Sequence, residues 1–132
     1  MKKYTLISLG FALFLLVIIY LANTDSIPMR HLYAIPNFDK IGHFTLFGLM
    51  AFFINRAMGC RRKELLGNVM LVGSLWLMSF VVLEEFSQIF IESRNFDVSD
   101  LMYDMVGIYF GGFIAVATSQ PAASLRSLIP GR

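Results

Sequence analysis

Four apolar stretches, Tyr4–Ala22, Ile41–Met58, Leu65–Leu83 and Leu101–Ala117, occupy most of this 132-residue chain. A helix rises ~1.5 Å per residue and the hydrocarbon core of a bilayer is ~30 Å thick, so ~17–25 apolar residues reach across it. In water such stretches would have nothing polar to present. Hydrophobic residues make up 57% of the chain and the mean hydropathy is +0.67, which excludes an ordinary soluble domain. Backbone groups in lipid must bond within the protein, so only helices or a closed barrel are allowed. The runs are continuous rather than alternating, which selects helices. The expected fold is an all-α integral membrane protein, four transmembrane helices in a small bundle with both termini cytoplasmic.

Charge sets that orientation. With the four spans alternated, Lys2, Lys3, Arg56, Arg61, Arg62, Lys63, Arg126 and Arg132 fall on one side, eight of the eleven basic residues. Lys and Arg concentrate in cytoplasmic loops, so this side is expected inside. The acids sort the other way. Glu64 alone is inside, and Asp25, Asp39, Glu84, Glu85, Glu92, Asp97, Asp100 and Asp104 lie outside or within the outer leaflet. The basic side therefore reads as membrane topology, not as a nucleic-acid surface. The location expected is the bacterial cytoplasmic (inner) membrane.

Lys2-Lys3 before an apolar run resembles a signal peptide, but bulky Tyr20 precedes the only plausible cleavage point after Ala22, so a retained first helix is expected. Cys60 is single, and no disulfide framework exists. Residues 1–120 are expected to form one membrane domain, with 121–132 a loose cytoplasmic tail after Pro121. Pro28 and Pro36 bracket a segment readable either as an interfacial element or as an irregular loop. The second helix should start near Phe38 or Asp39 and stop at Gly59. The third should run from about Glu64 to about Phe90. The fourth should be capped by Asp97 or Ser99, and its Gly107-x-x-x-Gly111 spacing should let another helix approach closely.

Ionisable side chains from three helices are aimed at one level, the outer interface. Asp39 and His43 are one turn apart on one face, with Lys40 beside them free to reach the headgroups. Glu85 and Gln88 share a face of the third helix, and Glu84 is also one turn from Gln88. Asp100 and Asp104 descend the fourth helix, where a charge costs several kcal/mol unless it is paired, hydrated or protonated. Arg94 is the expected basic partner, able to grip a carboxylate or a phosphate with two parallel hydrogen bonds. His43 can accept, donate or shuttle a proton near neutral pH. Each residue also has a plainer reading. Asp97 and Asp100 favour a helix N-terminus electrostatically, and Glu84 and Glu92 can simply be solvated. A metal site from His43, Glu85 and Asp100 is conceivable, but no metal-ligand spacing is present, and neither metal nor cofactor is expected. What exceeds the plainer reading is Asp104, because a helix cap requires no acid inside the bilayer.

At these residues the sequence resembles the VanZ-like family of small bacterial membrane proteins. The resemblance rests on Asp39-Lys40-Ile41-Gly42-His43-Phe44, then Glu85-Phe86-Ser87-Gln88, Arg94-Asn95-Phe96-Asp97, and Asp100 through Gly107. It departs at Asp104, where the family usually has Asn. The resemblance implies a four-helix membrane protein. The family's founding member is linked to teicoplanin resistance, which points to the cell surface and lipid-linked envelope precursors. The leading expectation is an accessory binding role in the cell envelope. Asp39, Lys40, His43, Glu85, Gln88, Arg94, Asp100 and Asp104 would recognise an anionic lipid, an envelope precursor or a partner membrane protein. The alternative is a membrane-embedded hydrolase of lipid-linked phosphate, with His43 as general acid/base, Glu85 or Asp100 orienting it, and Arg94 on the phosphate. A third reading, proton movement from Asp104 inward, has only Asn55, Asn68, Ser74 and Ser79 to continue it.

Overall fold

Apolar residues surround the first helix on all sides, and such a helix belongs in a core or in lipid. Here it has little core to join. In the computed structural model, which describes residues 2–24, 34–92, 94 and 96–119, α1 (Lys2–Asn23) buries only Ser8 and Leu15. Leu6, Leu9, Leu13, Leu16 and Val17 point outward. The remaining helices are α2 (Phe38–Ala57), α3 (Val72–Ser87, continued by a 3₁₀ turn at Gln88–Phe90) and α4 (Val98–Ser119). Among the described residues, three helical segments are long and apolar enough to cross a membrane: Lys2–Asn23, Val72–Phe90 and Val98–Ser119. α2 is the least apolar of the four helices, with Asp39 in its first turn and Arg56 in its last. It is also the hub, touching α1, α3 and above all α4.

The helix expected from Glu64 starts later. Residues Arg62–Leu65 (β1) and Asn68–Leu71 (β2) form an antiparallel hairpin in which Arg62 pairs with Leu71 and Leu65 with Asn68. The cause is the two-residue loop Leu66-Gly67, both with positive φ (51° and 77°). That backbone reverses the chain within two residues and matches the twist of a hairpin. The backbone N–H of Val72 donates to the Arg61 carbonyl at 2.9 Å and closes the base. The apolar span thus shifts from Leu65–Leu83 to Val72–Phe90, and Glu84, Glu85 and Gln88 fall within it rather than beyond it.

Other boundaries match the sequence. α2 begins at Phe38 and ends at Ala57, where the Cys60 N–H donates five residues back to Asn55 O at 2.7 Å and Gly59 takes φ +64°. Asp97 precedes α4, and its Oδ1 accepts from the Ser99 N–H at 2.7 Å, an N-cap bond. The central core is Leu15, Phe47, Met50, Ala51, Leu77, Val81 and Ile108. The segment between Pro28 and Pro36 falls largely outside the described residues, and the expected tail 121–132 falls wholly outside them.

α2 and α4 meet backbone to backbone. A Cβ on Gly107 would collide with the Phe44 carbonyl, and one on Gly111 with the Gly48 carbonyl. Gly48 faces Gly107 O in return, 3.1 Å from where its own Cβ would lie. The expected close approach at Gly107 and Gly111 is therefore made, and its partner is α2.

Candidate functional site

The glycine contact fixes the site. Phe44 follows His43 directly, and Gly107 lies one turn beyond Asp104, so seating Gly107 on the Phe44 carbonyl brings His43 and Asp104 together. His43 Nδ1 lies 2.9 Å from Asp104 Oδ1. With the carboxylate accepting, Nδ1 donates the hydrogen bond and Nε2 is the ring nitrogen left to other partners. Nε2 faces Asp39 Oδ1 at 3.8 Å and Asp100 Oδ2 at 3.9 Å. The ring also stacks on Phe47 at 6.2 Å between centroids. Asp104 is 1% exposed and Asp100 7%, and Asp104 Oδ2 and Asp100 Oδ1 have no hydrogen-bond partner among the described residues. Lys40 leans across to α4, with its Nζ 4.0 Å from Asp100 Oδ1 and 6.0 Å from the centre of the Tyr103 ring.

Asp39, Lys40, His43, Asp100 and Asp104 are thus brought together. Glu85 and Gln88 form a neighbouring buried group with a different task. Glu85 accepts the Asp97 backbone N–H at 2.9 Å, tying the end of α3 to the start of α4. Gln88 donates to both oxygens of Glu84 at 3.1 Å and to Glu85 at 3.4 Å. Glu84 therefore does more than sit in solvent, and the Glu84/Gln88 spacing of four was the signal for it. Arg94 forms no ion pair among the described residues. It is half-buried and lines a cavity of about 260 Å³ with Glu84, Asp39 and His43. Apart from Asn23, the rest of that cavity is apolar, walled by Leu15, Ile18 and Ile19 of α1 and Leu46 and Phe47 of α2. Sequence reasoning missed these α1 residues, because a helix apolar all round does not announce which face meets a partner.

The inward polar path is broken. Asn55 and Ser74 are buried and bonded to each other at 2.8 Å near the opposite end of α2. Asn68 lies exposed in β2, and Ser79 bonds its own helix at Leu75 O. The apolar core lies between the His43–Asp104 pair and the Asn55–Ser74 pair.

The arrangement offers a basic imidazole held by a buried acid, two further carboxylates facing its free nitrogen, and a guanidinium across an apolar cavity. No curated protein and no solved structure matches this chain. The VanZ/LLP1 family model matches it over residues 4–119, a span that takes in α1 from Tyr4, the whole of α2, α3 and α4, and every residue of the cluster, and the chain belongs to that family.

Proposed function

We propose that this VanZ-family membrane protein holds a membrane-resident anionic amphiphile, a lipid or lipid-linked envelope precursor, in an accessory cell-envelope role. The observation that carries the reading is the cavity of about 260 Å³: a long apolar wall from α1 and α2 ending at Asp39, His43, Glu84 and Arg94. An acyl or isoprenoid chain suits the wall. A phosphate suits Arg94, whose guanidinium has no carboxylate partner among the described residues. In this reading α2 is the fourth span, since its 20 residues reach about 30 Å. The end bearing Lys2, Lys3, Arg56 and the Arg61–Lys63 segment is cytoplasmic, and the cluster opens at the outer leaflet of the inner membrane.

The test uses the purified chain in phosphatidylcholine nanodiscs, offered labelled polyprenyl phosphate, phosphatidic acid or further phosphatidylcholine. Retention of the phosphate monoesters, reduced at least tenfold by Arg94→Ala without loss of folded protein, is the expected result. Equal retention of all three lipids sinks the reading.

One observation favours a second reading, hydrolysis of a lipid-linked phosphate. The Asp104–His43 pair at 2.9 Å has the geometry of an oriented general base, and His43 lines the cavity. Release of inorganic phosphate from the same polyprenyl phosphate, abolished by His43→Gln, would make this the better account.

A further inference from the structure

An acid-rich cluster beside a cavity read as taking an anion is an electrostatic contradiction. Three carboxylates, Asp39, Asp100 and Asp104, surround His43, and among the described residues only Lys40 forms an opposing pair with them. With the imidazole neutral and the acids ionised, the formal charge is −2. Repulsion between Asp39, Asp100 and a phosphate would act at distances too short for salt to screen.

We propose that Asp39 Oδ1, His43 Nε2 and Asp100 hold a divalent cation, and that this ion bridges the protein to the anionic headgroup. Its role toward the headgroup rests on the function proposed above. The site itself rests on four observations. The three donor atoms lie within 4.8 Å of one another, and the two carboxylate oxygens are 3.8 and 3.9 Å from Nε2. Donors sharing a small divalent ion at about 2.0–2.2 Å stand about 3.0–3.5 Å apart, so a small rotation of each side chain closes the set. His43 gives its other ring nitrogen to Asp104 at 2.9 Å, the carboxylate–imidazole arrangement that orients metal-binding histidines and raises their basicity. Asp100 is 7% exposed, and its Oδ1, the oxygen beside the one facing His43, lacks a hydrogen-bond partner among the described residues, an arrangement that is costly to bury without a cation. Lys40 Nζ reaches Asp100 Oδ1 only at 4.0 Å, the outer limit of an ion pair.

The set also assigns the remaining coordination positions. Asp39 and His43 line the cavity that Arg94 closes, so an ion on them offers its open side to a ligand there. Glu85 is outside the set, committed to the Asp97 N–H and Gln88. One imidazole nitrogen and carboxylate oxygens suit Zn²⁺ or Mn²⁺ better than a soft ion. With Nε2 on the ion, His43 cannot act as a base, which separates this site from the hydrolytic reading.

Mn²⁺ alone is the probe, added to the full chain in phosphatidylcholine nanodiscs and followed by electron paramagnetic resonance. One Mn²⁺ per chain is expected, with a hyperfine coupling to an imidazole nitrogen. His43→Gln should abolish the coupling, and both His43→Gln and Asp100→Asn should weaken binding at least tenfold, while Glu64→Gln, exposed in β1 at the opposite end, leaves it unchanged. Should either buried variant fail to fold by thermal unfolding, Asp39→Asn replaces it, since that side chain is 36% exposed. Binding without imidazole coupling, or undiminished in the folded variants, overturns the site. Polyprenyl phosphate is then added with and without chelator. Mn²⁺ held with its imidazole coupling while the lipid is ignored supports the site and removes the headgroup reading. Lipid retention indifferent to chelator overturns the bridge and leaves the headgroup reading intact.

Discussion

Asp104 is the residue whose side chain has the fewest alternatives. It is 1% exposed, and one of its oxygens takes the His43 Nδ1–H at 2.9 Å while the other has no partner among the described residues. Asparagine keeps a carbonyl oxygen for that bond and is the residue usual in VanZ-like proteins, so Asp104→Asn should change thermal stability in detergent little. Leucine removes the acceptor and strands a buried N–H, a cost of about 1–3 kcal/mol. Asp104→Leu should therefore lower the unfolding temperature clearly below that of Asp104→Asn. Equal temperatures for the two would show that the bond contributes nothing. Its depth and need for a partner were readable from one turn of sequence. That the partner is His43, and not Lys40 or Arg94, was not, because three cations at similar depth were equally available until the helices were packed.

Elements are positioned by their small residues. Gly107 and Gly111 each lie against an α2 carbonyl, whereas Gly42 has nothing within 4 Å of its would-be Cβ. Gly107→Ala or Gly111→Ala should push α2 and α4 apart and cost about 1–3 kcal/mol, as overpacking does. Gly42→Ala should be neutral or slightly stabilising, since alanine suits a helix better by about 0.5–1 kcal/mol. Thermal unfolding of the three variants reads the difference. If Gly107→Ala separates the helices, it should also weaken whatever binding His43 and Asp104 support. The spacing on α4 was visible in the sequence. The receiving surface was not, because Phe44 and Gly48 offer backbone carbonyls, and every residue has one. The hairpin escaped for a related reason: Leu66 at φ 51° is a conformation that leucine does not advertise, and Gly67 alone inside an apolar run reads as a tolerated helix residue.

At the scale of the whole molecule the two ends differ in charge. The Tyr4 ring lies 4.8 Å from the Arg56 guanidinium, so the start of α1 and the end of α2 share the basic end with the Arg62–Leu71 hairpin. Asp39, Asp97 and Asp100 mark the other end, at the starts of α2 and α4. If the basic end is cytoplasmic, a cysteine at Glu92, with Cys60 replaced by serine, should react with an impermeant thiol reagent from outside intact cells. A cysteine at Leu66, 92% exposed at the hairpin tip, should react only after the membrane is opened. The reverse pattern would turn the cluster to the cytoplasm and exclude envelope precursors as its ligand.

Sequence by itself determined that the chain is helical and membrane-embedded, that its acids and bases sort to opposite ends, and that it resembles VanZ-like proteins. The first two follow from composition along a line: lipid forbids unpaired backbone, and hydropathy and charge are properties of segments; the resemblance rests on the motifs at Asp39–Phe44, Glu85–Gln88, Arg94–Asp97 and Asp100–Gly107. It also named the members of the cluster, because i, i+3 and i+4 spacing fixes which side chains share a helix face. Only the tertiary structure divided that membership. Backbone contact at Gly48, Gly107 and Gly111 set α2 against α4, closed His43 on Asp104, and turned its free nitrogen to Asp39 and Asp100. The same packing gave Glu85 to the α3–α4 junction and left Arg94 facing the cavity. Those distances depend on how far apart two helix axes lie, a quantity that no single helix carries.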